Sequence, residues 1–428
     1  MRTSRHAWVG VLLALVATVL GLTLGVSQAF ASNEDVHGRL VDGDKAIAGV
    51  KIVVTTPDNQ PVGQATTGAD GGWVVPLPGP GSYRITLDTS TLPSGETMRD
   101  PGQNSVVRDV ITDQQRPQLF ALGAGQSTAS APSETDRTAQ LIAEGLRFGL
   151  ILGLAAVGLS LIYGTTGLVN FAHGELVTYG ALVAYWLNVV HGIGLIPAAA
   201  IAVAICGATG WLQDALFWGQ LRRRGTGTLA MMIVSIGVAL FVRYVFLYFY
   251  GGSNKSYTDF QGQAAVKAGP LPVALAPIDY WSMAIAVASI GLVMLAVWRT
   301  RLGKAARAIS DNPALAAASG IDVDRVIRVV WIVGTALAGL AGILLGLAEE
   351  VQFQMGQNIL LLIFAAVTLG GLGTTLGALL GSLVIGVGIQ LSTLVVSPEL
   401  KNVGALGVLI VILLIRPQGI LGRRERIG

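Results

Sequence analysis

The chain has 428 residues, 52% hydrophobic and 12% charged, with a mean hydropathy of +0.63 and a net charge of +3. Soluble domains carry about 25% charged residues, so a wholly water-facing chain is excluded, and so small a net charge gives no sign of a nucleic-acid partner. Glycine, at 56 residues, is about twice its usual share, as in close-packed transmembrane helices. The single cysteine, Cys206, lies in an apolar run, which leaves no disulfide framework and too few thiols for a metal cluster.

In chain order, Arg2 and Arg5 precede an apolar run at 9–26, and Ala29-Phe30-Ala31 follows it. This is the pattern of an export signal with a small-x-small cleavage site, expected over 1–31. The run of about 18 residues is also near the length of an uncleaved anchor. Either way, the residues from Ser32 onward are expected outside the cytoplasm.

Residues 32–122 read as an all-β unit. Short strands are expected at 36–41, 50–55, 73–76, 83–88 and 105–111, the clearest being the alternating Tyr83-Arg84-Ile85-Thr86-Leu87-Asp88. Asp58-Asn59, Asp70-Gly71-Gly72 and Pro78-Gly79-Pro80-Gly81 mark turns between them. Short strands at this spacing suggest a small sandwich. The run His37-Gly38-Arg39-Leu40, Gly49-Val50, Asp70-Gly71-Gly72-Trp73 and Pro80-Gly81-Ser82-Tyr83 resembles the carboxypeptidase regulatory-like domain. That resemblance implies a prealbumin-like sandwich with no catalytic site of its own. Asp42, Asp44, Asp58 and Asp70 are either calcium ligands or turn-formers, and aspartate favours turns through local backbone bonds. Residues 123–138 are small and polar, with Pro132, and read as a flexible linker.

From 139 to 428 the chain reads as a membrane domain with nine apolar segments, at 141–163, 167–190, 195–219, 228–250, 280–299, 326–348, 358–372, 376–396 and 403–415. Backbone groups in lipid must be satisfied internally, so these are helices. The segment at 358–372 is too short to cross upright and is expected to be tilted, re-entrant or half of a broken helix. With the β unit outside, alternate crossings put Arg222-Arg223-Arg224, the cluster Arg299, Arg301, Lys304 and Arg307, and Arg416, Arg423, Arg424 and Arg426 on the cytoplasmic side, as the positive-inside rule requires. The C-terminus is then cytoplasmic and the loop 251–279, with two lysines, lies outside.

No phosphate-binding loop, H-E-x-x-H zinc site or G-x-S-x-G elbow occurs, and the four histidines are scattered. Transport, not catalysis, is the function this composition favours. Three features refine it. In the loop 300–324, Asp311 or Asn312 can cap a short helix, with Pro313 at its first position and Gly320 ending it in the left-handed conformation. This helix is either a docking element for a partner or a connecting turn. The run Asn170-Phe171-Ala172-His173-Gly174-Glu175 falls in the second apolar segment, with Asn170 and His173 on one helix face. A charge at the bilayer centre costs roughly 2.5–3.5 kcal/mol on insertion scales, so Glu175 lines a substrate path or sits in water near the inner interface. Glycines break the chain at 164–167 and at 370–377, including Gly371 and Gly373. Such breaks belong to discontinuous helices at transport sites or to tight helix crossings. Arg243, with a partner inside the bundle, and Glu349-Glu350, at the outer surface, are further polar candidates.

The separated runs Gly158-Leu159-Ser160-Leu161-Ile162-Tyr163-Gly164, Gly167-Leu168-Val169-Asn170-Phe171-Ala172-His173-Gly174-Glu175, Thr300-Arg301-Leu302-Gly303-Lys304-Ala305-Ala306-Arg307-Ala308, Ala318-Ser319-Gly320-Ile321-Asp322, Gly370-Gly371-Leu372-Gly373 and Arg416-Pro417-Gln418-Gly419-Ile420-Leu421-Gly422 together resemble the LivH-type permease family of branched-chain amino acid ABC importers, over about two thirds of the chain. The resemblance implies a multi-pass subunit of a bacterial cell membrane. It implies a second permease subunit, two cytoplasmic ATPase subunits that bind ATP in trans, and an extracytoplasmic substrate-binding protein. The chain itself is then a transport subunit with no cofactor and no ATPase site. The expected coupling residues are Asp311, Asn312, Pro313, Ala316, Ala317, Gly320, Ile321 and Asp322, and the candidate translocation path is Asn170, His173, Glu175, Gly371 and Gly373. The general importer signature, E-A-A with glycine four residues on, is absent, since Ala316-Ala317-Ala318 reaches Gly320 after one residue. The expected solute is a branched-chain or other hydrophobic amino acid, with urea or a short amide as the alternative. A passive channel for a small neutral solute is a further alternative that would need no ATPase.

Overall fold

The computed structural model describes residues 35–42, 45–79, 81–98, 104–110, 115–117, 120, 122, 134–260, 263, 265–267, 272–394, 407 and 410. The expected signal segment, the terminal basic cluster at 416–426, and the ninth apolar segment apart from 407 and 410 lie outside these residues.

The N-terminal unit has two main sheets and a small two-stranded one of β2 (Val41–Asp42) and β3 (Lys45–Ala46). One is antiparallel, in the order β5 (Pro61–Thr66), β4 (Lys51–Thr55), β7 (Gly81–Leu87) and β8 (Ser105–Val110). The other places β1 (Asp35–Arg39) between β6 (Gly72–Pro76) and β9 (Gln115–Pro117). Alternation decides which side chains turn inward: Ile52 and Val54 of β4, and Tyr83, Ile85 and Leu87 of β7, are buried while their neighbours face outward. They join Val36, Leu40, Ile47, Val50, Trp73 and Val75 in one core between the sheets. All five expected strands form. β5 was not expected, because Pro61-Val62-Gly63-Gln64-Ala65-Thr66 has no alternating bulky face. It is an edge strand, held by its ladder with β4. Asp70 is a turn-former: its carboxylate accepts from the Gly72 N–H at 3.0 Å, while Arg39 donates to its carbonyl at 2.6 Å. Gly71 must be glycine here, since its φ is +77° and a Cβ would lie 2.4 Å from the Leu40 carbonyl oxygen. At the end of β7 the hydroxyl and backbone N–H of Ser90 both donate to Asp88, which holds that carboxyl below its ordinary range.

The helical unit begins with α1 (Glu134–Thr166), so residues 134–138, expected in the linker, are already helical. Then come α2 (His173–Tyr185), prolonged by a π-helical turn at Trp186–Val190, and α3 (Leu195–Gln213), prolonged through a second π-helical turn to Arg223. They are followed by α4 (Thr228–Tyr250), α5 (Pro277–Arg299), α6 (Arg301–Asp311), α7 (Pro313–Ala318), α8 (Val323–Ala348), α9 (Met355–Gly370) and α10 (Thr375–Ser392). Six stretches among the described residues are long and apolar enough to cross a membrane, and Met355–Gly370 is a shorter apolar helix. With α2, these are eight of the nine expected apolar segments, and α9 is the short one expected to be tilted, re-entrant or half of a broken helix. At 1.5 Å per residue, α9 is about 24 Å long, less than the roughly 30 Å of a hydrocarbon core.

α1 and α8 form the centre: the apolar stretch of α1 is 78% buried and that of α8 72%, against 22% for α4 and 17% for α5. Glycines let the inner helices touch backbone to backbone. A Cβ on Gly342 of α8 would lie 1.9 Å from the Val177 carbonyl oxygen, and one on Gly180 of α2 would lie 2.3 Å from Gly339. Gly342→Val should therefore force α8 and α2 apart and destabilise the bundle by several kcal/mol, beyond the ~1–3 kcal/mol of ordinary overpacking. Gly237→Ala, with nothing within 4 Å of the added Cβ, should be silent. Thermal melting of the two variants in detergent checks this.

Candidate functional site

The end of the bundle where α1 finishes at Thr166 also carries Arg222, Arg223, Arg224, α6 and α7 and is its basic end. Residues 167–172 leave that end without forming helix, starting from the left-handed Gly167 (φ +65°). They climb into the bundle. The Phe171 N–H donates to Ser235 of α4 at 3.0 Å, and His173 Nε2 donates to the Ala155 carbonyl oxygen at 2.9 Å. Ala155 is eleven residues before Thr166, about 16 Å along α1. α2 therefore starts at depth, and of the two readings of Glu175 the one that puts it in water near the inner interface does not fit. The shared helix face of Asn170 and His173 is corrected: Asn170 precedes the helix, and its side-chain oxygen accepts from the Ala172 N–H at 3.0 Å.

A second helix begins at the same depth. Gly356, in the first turn of α9, meets Gly174: a Cβ on Gly356 would lie 1.8 Å from the Gly174 carbonyl oxygen. The Gly356 N–H donates to Thr178 at 3.0 Å. Around this contact lies the only ion pair of opposite charges that the described residues place between α2 and α4. Arg243 donates through Nε and Nη2 to one oxygen of Glu175, at 3.0 and 2.7 Å, and through Nη2 to Gln357 at 2.5 Å. Glu175 is 2% exposed. Three buried polar atoms here have no hydrogen-bond partner among the described residues: Asn170 Nδ2, His173 Nδ1 and Glu175 Oε2. Buried polar atoms are normally satisfied, so their clustering marks a place where polar groups are held ready. Beside Glu175, a cavity of about 70 Å³ runs between α2, α3 and α4, lined by Ala172, Leu176, Tyr179, Val242 and Phe246. A ligand pocket takes about 300–1,000 Å³, so this cavity by itself is too small to hold a solute.

The structure thus brings Asn170, His173 and Glu175 together and adds Arg243, Gln357, Thr178 and Ser235. It does not bring Gly371 and Gly373 to them. Those two, with φ +105° and +81°, turn the chain between α9 and α10 at the basic end, where a Cβ on Gly164 would lie 3.2 Å from the Gly373 carbonyl oxygen. The one sequence signal for the added partner was Arg243 itself, a cation inside an apolar helix with one carboxylate to match it. Gln357 gave no signal.

At the basic end, α6 and α7 form the connection to α8. Asn312, not Asp311, caps α7, accepting from the Leu315 N–H at 2.9 Å; Asp311 closes α6. Pro313 opens the helix, and Gly320 has φ +90°. Asp322 caps α8 through the Arg325 N–H at 3.0 Å. Asn312, Pro313, Ala317, Gly320 and Asp322 are exposed, but Ala316 is buried and anchors the helix to the bundle. Leu315, absent from the expected coupling residues, is 69% exposed. Next to this loop Asp214, 1% exposed, takes Arg222 at 2.7 Å and Arg328 at 3.7 Å, and Trp218 stacks on Trp331 at 5.7 Å. These contacts tie the end of α3 to the start of α8. At the opposite end Glu350 accepts from Asn254, and Lys255 pairs by its backbone with Val351.

A multi-pass bundle with broken helices, a polar cluster at depth and an exposed helix on its basic end has the build of a membrane permease. The chain belongs to the family of branched-chain amino acid transport system permease components, whose profile matches residues 141–413. It is 31% identical over 304 residues to the high-affinity branched-chain amino acid transport system permease protein LivH of Escherichia coli, covering 67% of this chain and 96% of that protein. It is 32% identical over 301 residues to the permease protein BraD of Pseudomonas aeruginosa, with the same coverage. The ribose import permease protein RbsC of Escherichia coli matches at 29% over 248 residues, 54% of this chain and 71% of its own. No solved structure matches the chain.

Removing one partner of a buried ion pair costs about 3–5 kcal/mol, because the other charge is left unpaired. Glu175→Ala should lower the thermal midpoint accordingly. The double variant Glu175→Leu with Arg243→Met should melt well above Glu175→Ala, which a melting series on the three proteins would show.

Proposed function

We propose that the chain is the permease subunit of an ABC importer that carries branched-chain or other hydrophobic amino acids into the cell. Two ATPase subunits energise it from the cytoplasm, a second permease subunit completes the passage, and an extracytoplasmic binding protein delivers the solute. Residues 1–31 serve as export signal, the β unit lies outside, and the basic end and C-terminus face the cytoplasm. The positive-inside rule supports this orientation, since Arg222, Arg223, Arg299, Arg301 and Lys304 gather at one end of the bundle. Similarity to LivH and BraD over nearly their whole length supports amino acids over urea or a short amide.

The observation that carries the coupling role is α7 itself. A six-residue helix, capped at both ends and anchored only by Ala316, holds Leu315 out at 69% exposure. In this reading Leu315 is the side chain that enters a pocket of the ATPase subunit. Nucleotide binding moves the ATPase subunits, α7 passes the motion through α6 and α8, and the Asp214–Arg328 pair makes α3 follow α8. The polar cluster at Asn170, His173 and Glu175 then opens to the solute, while Gly371 and Gly373 act as the bend between α9 and α10.

The test is co-purification with the neighbouring ATPase subunit after mild detergent extraction. The intact chain should bring the ATPase down, and Leu315→Asp or Ala317→Glu should lose it by at least tenfold, about 1.4 kcal/mol, with the melting point unchanged. Leucine uptake by the reconstituted complex should fall in step. If the intact chain retains no ATPase, the passive channel takes the importer's place.

A further inference from the structure

The exposed side chains of α9 differ in kind from those of the other outward-facing helices. On α4 the exposed residues include Leu229, Ile233, Leu240 and Phe241, and on α5 they include Ile285, Leu292 and Leu295. Such faces suit hydrocarbon. On α9 the exposed residues of the first two turns are Gln357 and Asn358, with Gln354 just before them and Leu361 after them.

These amides are not at a membrane surface. Gly356 beside them is packed on Gly174, at the level where His173 reaches Ala155, about 16 Å from the basic end. Arg243, which donates to Gln357, lies seven residues before the end of α4 at Tyr250, about 10 Å from the opposite end. Arg243 keeps 15% of its side chain exposed on this same side. Moving an amide from water into a medium that cannot hydrogen-bond costs about 4–8 kcal/mol, and three on one face would not be sustained against lipid. Irregular backbone at depth is likewise tolerated only where protein buries it or water lines it. Such backbone leads directly into both α2 and α9.

We propose that the face of α9 carrying Gln354, Gln357, Asn358 and Leu361, with the exposed edge of Arg243, lines the aqueous passage of the transporter, which the second permease subunit closes on its far side. The inference rests on the permease reading and says where in this chain the passage runs. The amides and Arg243 hydrate a zwitterionic solute, and Leu361 receives an apolar side chain.

The test is thiol accessibility in the full-length protein, assembled with its partner subunits in liposomes. Cys206 is fully buried, and Cys206→Ala removes it as background. Gln357→Cys, Asn358→Cys and, as lipid-facing reference, Leu292→Cys are then treated with a charged, membrane-impermeant methanethiosulfonate, and the mass shift is followed. A thiol reacts as its thiolate, which forms only where water reaches it, so both α9 positions should react roughly tenfold or more faster than Leu292→Cys. Asn358→Cys leaves the Arg243–Gln357 bond intact, so the answer does not depend on the Gln357 variant folding. The inference is overturned if the α9 thiols react only with a lipid-soluble maleimide. It is equally overturned if they resist the charged reagent but form disulfides with a cysteine of the second permease, which would make this face a dry contact. Retained ATPase in each sample keeps these results separate from a failure of the permease reading.

Discussion

Two helices begin inside the bundle, and the contact between their first turns governs what surrounds it. Gly174 and Gly356 touch with no side chain between them. That contact holds α2 against α9 at a depth well inside the bundle. The N–H groups of a helix's first turn lack intrahelical partners, so others must be found: Thr178 serves Gly356, and Ser235 serves Phe171 just before α2. Thr178 comes within reach only because Gly174 and Gly356 carry no side chain at the crossing. The six residues that climb from Thr166 to His173 are the cost of starting a helix at this level.

Arg147 of α1 and Asp279 of α5 pair at 2.6 Å, and two more deeply buried charge pairs join helices that would otherwise be separable. Glu175 and Arg243 connect α2 to α4, and Gln357 brings in α9. Asp214, between Arg222 and Arg328, connects the end of α3 to α8. Neither pair is placed where it would be cheapest, at the surface. A buried pair adds little net stability but strongly disfavours arrangements that leave one charge alone. The two pairs therefore restrict the bundle to movements that keep partners together, which suits a device whose helices shift as connected groups.

The helical unit was largely legible in the sequence, because hydropathy, capping residues and basic clusters are local signals. Asn312, Pro313 and Gly320 announced α7 correctly, each by its own backbone chemistry. The five short strands were legible as well, Tyr83–Leu87 most clearly through its alternation, whereas Pro61–Thr66 was not, because an edge strand owes its state to the neighbour it pairs with. The polar site was half visible. Asn170, His173 and Glu175 stood out as polar residues in an apolar run. The same apolar run concealed that residues 167–172 are not helical, since hydropathy reports burial and not conformation. Ala316 and Leu315 lie side by side in the sequence, and only the packing of α7 shows that one anchors it and the other faces outward.

By itself the sequence determined that most of this chain lives in a membrane, that a β unit precedes the bundle, and which end of the bundle is basic. These follow from composition and from backbone rules that act within a few residues. The tertiary structure alone decided that α2 and α9 start at mid-depth, that Glu175 is matched by Arg243 sixty-eight residues on, and that Gly371 and Gly373 belong to a distant bend. Those outcomes depend on how closely helices far apart in the chain can approach. That distance is set by the absence of side chains at a few glycines on both partners at once.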